Sequence, residues 1–136
     1  MPAAAVVPLC ARVEAELGEL SAAEAAEFLA ALGIAEPALG RMIRAAYSAL
    51  DLQSFFTVGP DECRAWTVRR GSPAPVAAGV IHTDLQRGFI RAEVTAYDDL
   101  IACGDLAAAK AANKVRLEGK SYVVQDGDII EIRFSV

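Results

Sequence analysis

Apolar residues recur at two different periods along the chain, and the change falls near Leu52. Before that point they return at steps of three and four, which is the spacing of one face of an α-helix. After it, short runs rich in β-branched and aromatic residues alternate with turn residues, as strands do. The pattern therefore predicts a helical segment over residues 1–52 and a mixed α+β unit over residues 53–136.

The first segment is predicted to begin with a short buried strand over residues 6–9 and a helix over residues 12–20. Ser21 and Glu24 have the spacing of a capping box, in which each side chain bonds the other residue's backbone amide, so a second helix follows. Pro37 suits the first turn of a third helix. That helix carries one apolar stripe, formed by Leu39, Met42, Ile43, Ala46, Tyr47 and Leu50.

The second segment is predicted to alternate strands with short helices. Gly59-Pro60-Asp61 is a turn signal, and Asp126-Gly127 predicts a hairpin turn between the last two strands. In the first helix of this segment, we expect the apolar side chains Val76, Val80 and Ile81 to be buried. The predicted elements are strands over 54–58 and 63–68, a helix over 75–81, a strand over 89–96, a helical stretch over 97–112 interrupted at Gly104, and strands over 115–117, 122–124 and 129–134.

Charge is unevenly distributed, which restricts the partners that the chain can attract. The net charge is −5; residues 1–52 hold three basic and seven acidic residues, and residues 53–136 hold ten basic and eleven acidic residues. Global attraction to nucleic acid is therefore not expected. A local basic patch is possible only in the second segment.

Cysteine use and the amino terminus suggest a cytoplasmic protein. Cys10, Cys63 and Cys103 are odd in number and form no C-x-x-C pair, which favours reduced thiols acting as small buried apolar residues. Residues 1–9 lack the basic region of a signal peptide. Because no apolar run approaches the length of a membrane span, we expect no membrane partner.

Two groups of polar residues invite a catalytic or metal-binding interpretation. His82 and Asp84 have no third ligand or nucleophile at compatible spacing, so a histidine hydrogen-bonded at a helix end, with Asp84 as the cap, is favoured. Asp126, Asp128 and Glu131 lack the twelve-residue calcium loop, so the hairpin turn is favoured there. The phosphate-cradling G-x-x-x-x-G-K-[ST] motif is absent from the sequence.

Arg64, Trp66 and Val68 share one face of a predicted strand. An aromatic ring between basic residues can stack on RNA bases, although core packing is the favoured role of Trp66. Seven basic residues of the second segment could assemble into a phosphate-facing surface. They are Arg69, Arg70, Arg87, Arg91, Lys114, Arg116 and Lys120.

Five segments carry a resemblance to a known family, and the resemblance covers nearly the whole chain. They are Leu52–Thr57, Arg64–Thr67, Ala78–Asp84, Gly88–Glu93 and Tyr122–Asp128. These segments resemble the C-terminal part of the Obg-like ATPase (YchF) family. The order of strands and helices is similar to that of its TGS domain, which has the ubiquitin-like β-grasp fold. One departure is Asn113, which stands where the family usually has glycine, so a positive φ is expected there.

The resemblance implies that residues 1–52 are the tail of a P-loop nucleotide-binding domain and that residues 53–136 are the TGS domain. Cys10, Ala11 and Arg12 would then form the loop that lines the nucleotide base, with arginine in place of the family's lysine. Family members hydrolyse ATP in preference to GTP and associate with ribosomes. Because the P-loop and the Mg²⁺-holding segments are missing, we expect no cofactor and no activity in this chain alone, and ATP or GTP with Mg²⁺ in the full-length parent.

Three hypotheses follow for the role of the chain. In the first it is a binding module that contacts the ribosome or RNA, and not DNA, and packs against the upstream ATPase domain. In the second it completes an active nucleotidase by supplying the base-lining loop. In the third it is a truncated fragment whose β-grasp surface binds only protein.

Overall fold

The helical and the mixed segments form two separate units, divided between Leu50 and Asp51. The computed structural model describes residues 6–59 and 61–135 of the protein. The division lies close to Leu52, where the period of the apolar residues changes.

The described part of the first unit contains three helices, α1 (Ala11–Gly18), α2 (Ala22–Ala31) and α3 (Ala38–Ala49). The capping box at the start of α2 is confirmed: the Glu24 backbone amide donates to Ser21 Oγ, and the Ser21 amide donates to Glu24 Oε2 over 2.9 Å. These two hydrogen bonds satisfy backbone amides that have no partner inside the helix.

The predicted strand over residues 6–9 is wrong, because these residues are irregular and Val6 is 89% exposed. A strand needs a neighbour for its backbone donors and acceptors, and the described part of the first unit contains no other strand. A side chain supplies one partner instead: Arg41 Nη2 donates to the carbonyl oxygen of Pro8 over 2.8 Å.

Helix α3 forms as predicted, but most of its apolar stripe is exposed. Leu39 is 63% exposed and Leu50 is 62% exposed, while Tyr47 is half-buried. The residue that α3 buries is Ala38. The stripe thus leaves a continuous apolar face on this helix.

In its described residues the second unit is a five-stranded sheet with four helices, so the predicted mixed α+β class is confirmed; the short helix over residues 83–87 was not predicted. The elements are β1 (Leu52–Val58), β2 (Cys63–Arg69), α4 (Ala74–Ile81), α5 (Thr83–Arg87), β3 (Phe89–Ala96), α6 (Tyr97–Cys103), α7 (Leu106–Ala111), β4 (Arg116–Glu118) and β5 (Asp128–Phe134). The sheet order is β2-β1-β5-β3-β4, in which β1 and β5 are parallel and the other neighbours are antiparallel.

Helix α4 contributes small residues to the core of the second unit. Ala74, Ala77 and Ala78 are completely buried in the same cluster as Phe55 of β1. Because alanine is small, the helix backbone can approach the sheet closely. With the alanine face against the core, the larger side chains of α4 point outward. The predicted burial of Val76 and Val80 is therefore wrong, since they are 41% and 40% exposed, whereas Ile81 is half-buried against the core.

The last predicted hairpin does not form. Residues 122–124 are not a strand, and only Val123 makes an isolated bridge, to Pro73. The turn before β5 instead docks on β1: the Gly127 amide donates to the Ser54 carbonyl over 2.8 Å, and Asp126 Oδ1 accepts from the Ser54 amide over 2.9 Å.

Two backbone predictions are confirmed, and the predicted burial of the cysteine side chains is wrong. Gly104 separates α6 from α7 with φ of 90°, and Asn113 has φ of 56°. Cys10 and Cys63 are exposed and Cys103 is half-buried, because all three lie outside the core cluster. Among the helices of residues 6–59 and 61–135, none has the length and apolar character needed to cross a membrane.

Candidate functional site

The pair His82 and Asp84 lies at the start of α5, where His82 provides the cap. The Asp84 backbone amide donates to His82 Nδ1 over 3.2 Å, so the expected role of Asp84 as the cap is wrong. Both side chains are exposed. The described ranges contain no group of three or more His, Cys, Asp or Glu residues that could hold a metal ion.

Asp128 is the centre of a polar cluster at the start of β5. It is only 3% exposed, and its Oδ2 accepts from the Tyr122 hydroxyl over 2.6 Å and from the Gln125 amide over 2.8 Å. Arg116 Nη2 lies 3.7 Å from Oδ1 and donates to the Tyr122 hydroxyl over 3.1 Å. Burial, together with the Asp128 carboxylate, raises the pKa of Tyr122 above its usual value.

Sequence reasoning missed the burial of Asp128, although the signal was available. Alternation in β5 places Asp128 on the face that also carries the core residues Ile130 and Ile132. A carboxylate in that position must collect hydrogen-bond donors. The cluster anchors the connection between β4 and β5 to the sheet.

Trp66 packs partly against the core, the role favoured for it. Its Nε1 donates to Thr57 Oγ1 over 3.0 Å. The guanidinium carbon of Arg64 lies 4.2 Å from the centroid of the ring. One aromatic surface is thus shared between the core and an exposed cation.

The seven basic residues do not gather in one cluster. Arg69 is opposite Leu52 at the start of β1, and Arg91 is opposite Arg133 near the end of β5. Because β1 and β5 are parallel, Arg69 and Arg91 lie towards opposite ends of the sheet.

Two of the seven are engaged by acidic neighbours. Lys114 Nζ lies 2.9 Å from Asp99 Oδ1, a contact that raises the pKa of Lys114. Arg116 pairs with Glu118 over 3.5 Å as well as contacting the Asp128 cluster. The other five have exposed side chains that make no hydrogen bond or ion pair with another described residue. They are Arg69, Arg70, Arg87, Arg91 and Lys120.

The predicted base-lining loop lies at the start of α1. Cys10 is the residue before the helix, and Ala11 and Arg12 begin it. All three are exposed, and Arg12 Nε donates to Glu16 Oε1 over 3.1 Å. A nucleotide contact by these residues stays a prediction.

The family model YchF-GTPase_C, described as a protein of unknown function (DUF933), matches residues 52–135. The chain belongs to the YchF family. Its curated relatives include the ribosome-binding ATPase YchF of Haemophilus influenzae, which is 57% identical over 133 residues. The YchF of Bacillus subtilis is 55% identical over 133 residues, and the Obg-like ATPase 1 of Rattus norvegicus is 50% identical over 134 residues.

These alignments confirm that the chain is the C-terminal part of a YchF protein. They cover 98% of the chain but only 37%, 36% and 34% of the three relatives, respectively. The YchF GTPase structure from Schizosaccharomyces pombe aligns with a TM-score of 0.86 and 38% identity, over 97% of this chain and 35% of that one. A GTP-binding protein from Pyrococcus horikoshii OT3 shares the fold, with a TM-score of 0.53, 19% identity, and coverage of 98% and 33%.

Proposed function

We propose that the chain is the C-terminal part of a ribosome-associated, YchF-like ATPase and that its second unit is a TGS domain that contacts the ribosome. The observation that carries this proposal is the 57% identity, over 98% of the chain, to a protein named ribosome-binding ATPase YchF. Identity at that level over a whole domain supports a shared surface as well as a shared fold.

The topology supports assigning a β-grasp fold to the second unit. Its first and last strands, β1 and β5, are parallel neighbours inside the sheet, and β2 and β4 form the two edges. Helix α4, which lies between β2 and β3 in the chain, supplies buried alanines to the core. This arrangement is the one expected of a ubiquitin-like module.

We assign the ribosome or RNA contact to the exposed basic residues without acidic partners. Arg69 and Arg70 are the strongest pair, since they are adjacent at the end of an edge strand and both are exposed. Lys114 and Arg116 would add less, because Asp99 and Glu118 already partly neutralise them. A contact of this kind is electrostatic and should weaken as salt screens it.

Co-sedimentation of the chain with ribosomes at low and high salt tests this assignment. We expect binding at low salt that is lost at high salt, and a clear reduction in the variant Arg69→Glu/Arg70→Glu. The matched control is Arg44→Glu/Lys110→Glu, which makes the same change of charge at two exposed positions outside the seven proposed contact residues. Loss of the two surface ion pairs that these side chains make should cost little stability.

Equal binding by the parent and by Arg69→Glu/Arg70→Glu would remove these residues from the contact. Complete absence of ribosome binding, together with recovery of a specific protein partner, would favour the alternative function. In that alternative the chain is a protein–protein interaction module with no role in nucleotide or RNA binding.

For the parent protein we propose ATP, or GTP, with Mg²⁺ as cofactors, an ATPase domain that packs on this part, and a cytoplasmic location. Residues Cys10, Ala11 and Arg12 would line the base there. Turnover of ATP by this chain alone would contradict the proposal that the chain is inactive by itself and would favour the nucleotidase hypothesis.

A further inference from the structure

The core of the second unit is open at the end of the sheet where β1 and β5 terminate. Trp66, Ile81, Leu85 and Ile132 pack against the core but are only partly buried, and Phe134 is 44% exposed. Together they form the apolar floor of a groove of about 470 Å³. This volume lies within the range of roughly 300–1,000 Å³ that ligand pockets occupy.

The rim of this groove is acidic. Asp61 and Glu62 lie on the β1–β2 connection, and Glu131 belongs to β5. Glu131 is 3.4 Å from Arg133, but Asp61 and Glu62 make no ion pair with any other residue that the structure describes. None of the described residues lining the groove is basic.

The polar group of the floor is already satisfied. Trp66 Nε1 donates to Thr57 Oγ1 over 3.0 Å, so the indole has no unpaired donor to offer a ligand, and the guanidinium carbon of Arg64 lies 4.2 Å from the centroid of the same ring. A ligand that fits must therefore supply apolar side chains to the floor and positive charge to the rim.

We propose that this groove binds an extended peptide segment in which lysine or arginine residues flank one or two apolar side chains. An acidic rim repels the phosphates of RNA and of anionic lipids, so neither fits. A second copy of the chain does not fit either, because each copy has a net charge of −5 and a two-fold contact would bring the same acidic rim against itself.

The groove and the proposed ribosome surface are separate. None of the seven basic residues assigned to ribosome or RNA contact lines the groove. Failure of one proposal therefore leaves the other standing, since peptide binding is measured with the purified chain and no ribosome.

Trp66 is the only tryptophan of the chain, so its fluorescence reports directly on the groove. The probe is a pool of about ten-residue peptides with leucine, isoleucine, methionine or phenylalanine at two central positions and lysine or arginine elsewhere. Titration into the full chain should give a saturable change in Trp66 emission. A second pool with serine at the central positions, and an oligouridylate of similar length, serve as comparison ligands.

The variant Asp61→Lys/Glu62→Lys should weaken binding of the first pool by about tenfold, because two attractive rim charges become repulsive. Glu19→Lys/Glu27→Lys is the matched control: it makes the same change of charge at exposed positions of the first unit and should bind as the parent does. Phe134→Ser, which leaves the charge unaltered, should also weaken binding, and a urea unfolding midpoint close to that of the parent shows that this variant is folded.

Three results would overturn the proposal. One is the absence of any saturable change with the first pool up to about 1 mM, where binding free energies fall to roughly 4 kcal/mol. Another is an equal response to the serine pool, which would show charge attraction without use of the floor. The third is saturation by oligouridylate while both peptide pools leave the emission unchanged, which would make the groove part of an RNA surface.

Discussion

At the residue scale, Asp128 shows how a buried carboxylate is stabilised. Its Oδ2 accepts two hydrogen bonds, from Tyr122 and from the Gln125 amide, and Arg116 stands near its other oxygen. A buried charge without such partners would cost several kcal/mol. Both donors come from the connection between β4 and β5, and the cation Arg116 comes from β4, so one side chain holds that connection against the sheet.

We expect Tyr122→Phe to lower the free energy of unfolding by about 1–3 kcal/mol, because Asp128 loses a hydrogen-bond donor while remaining buried. Urea unfolding followed by Trp66 fluorescence measures this change. Tyr97→Phe is the control, since Tyr97 is 50% exposed and its hydroxyl bonds no other described residue. Equal midpoints for the two variants would show that the Tyr122 hydroxyl contributes nothing.

The same hydroxyl predicts a dependence of stability on pH. Burial and the Asp128 carboxylate raise the pKa of Tyr122 above its usual 10.0, so the folded protein holds this proton more tightly than the unfolded chain does. The resulting stabilisation is complete below pH 10 and is lost as the pH rises above it. The difference in unfolding free energy between the parent and Tyr122→Phe should therefore shrink from pH 8 to pH 11. A difference that stays constant over this range would contradict a raised pKa of Tyr122 in the folded protein.

At the element scale, two glycines near α5 have different neighbours. A Cβ at Gly88 would overlap the carbonyl oxygen of Ser135, whose amide donates to the Gly88 carbonyl over 2.9 Å at the end of β5. A Cβ at Gly79, inside α4, would meet only the side chain of Gln86, which is exposed. The clash at Gly88 is with backbone and can be relieved only by a backbone shift. The clash at Gly79 can be relieved by a change of rotamer, because Gln86 is exposed.

Gly88→Ala should therefore lower the free energy of unfolding by about 1–3 kcal/mol, the usual cost of overpacking. Gly79→Ala should be neutral or stabilising, since alanine favours the interior of a helix over glycine by about 1 kcal/mol in helix propensity. Thermal unfolding of both variants beside the parent gives the comparison. A Gly79→Ala loss as large as that of Gly88→Ala would show that Gln86 cannot move.

At the scale of the whole molecule, the two units differ in how much apolar surface they bury. Among the described residues of the second unit, ten buried ones form one core cluster. In the described part of the first unit, the buried apolar residues are Leu29 and Ala38, and the stripe of α3 is mostly exposed. Apolar burial is the main favourable contribution to folding, so the two units should differ in stability.

Amide hydrogen exchange should reflect this difference. We expect the amides of β1, β3 and β5 to exchange more slowly than those of α1, α2 and α3, as measured by mass spectrometry on the intact chain. Repeating the measurement at a tenfold lower protein concentration controls for protection by self-association through the exposed stripe. Helices protected as strongly as the central strands at both concentrations would contradict the expectation.

Local sequence patterns predicted most of the elements and missed the way they pack. The capping box at Ser21, the interruption at Gly104 and the positive φ at Asn113 depend on neighbours within a few residues, which the sequence displays. The prediction of a strand over residues 122–124 was wrong because strand pairing depends on residues distant in the sequence. Strand β5 pairs with β1 and β3 instead. The sequence identified the basic residues, but it could not predict that they lie apart along the sheet.

The division into two units, most of the helices and strands, and the family could be predicted from the sequence, because period, caps and turns are local and the family's segments are contiguous. Three features became evident in the folded chain alone: the face of α4 that meets the core, the partners that bury Asp128, and the acidic rim around an open apolar groove. These features arise where residues far apart in the chain become neighbours, and the energy of such contacts depends on distance and burial rather than on spacing in the sequence.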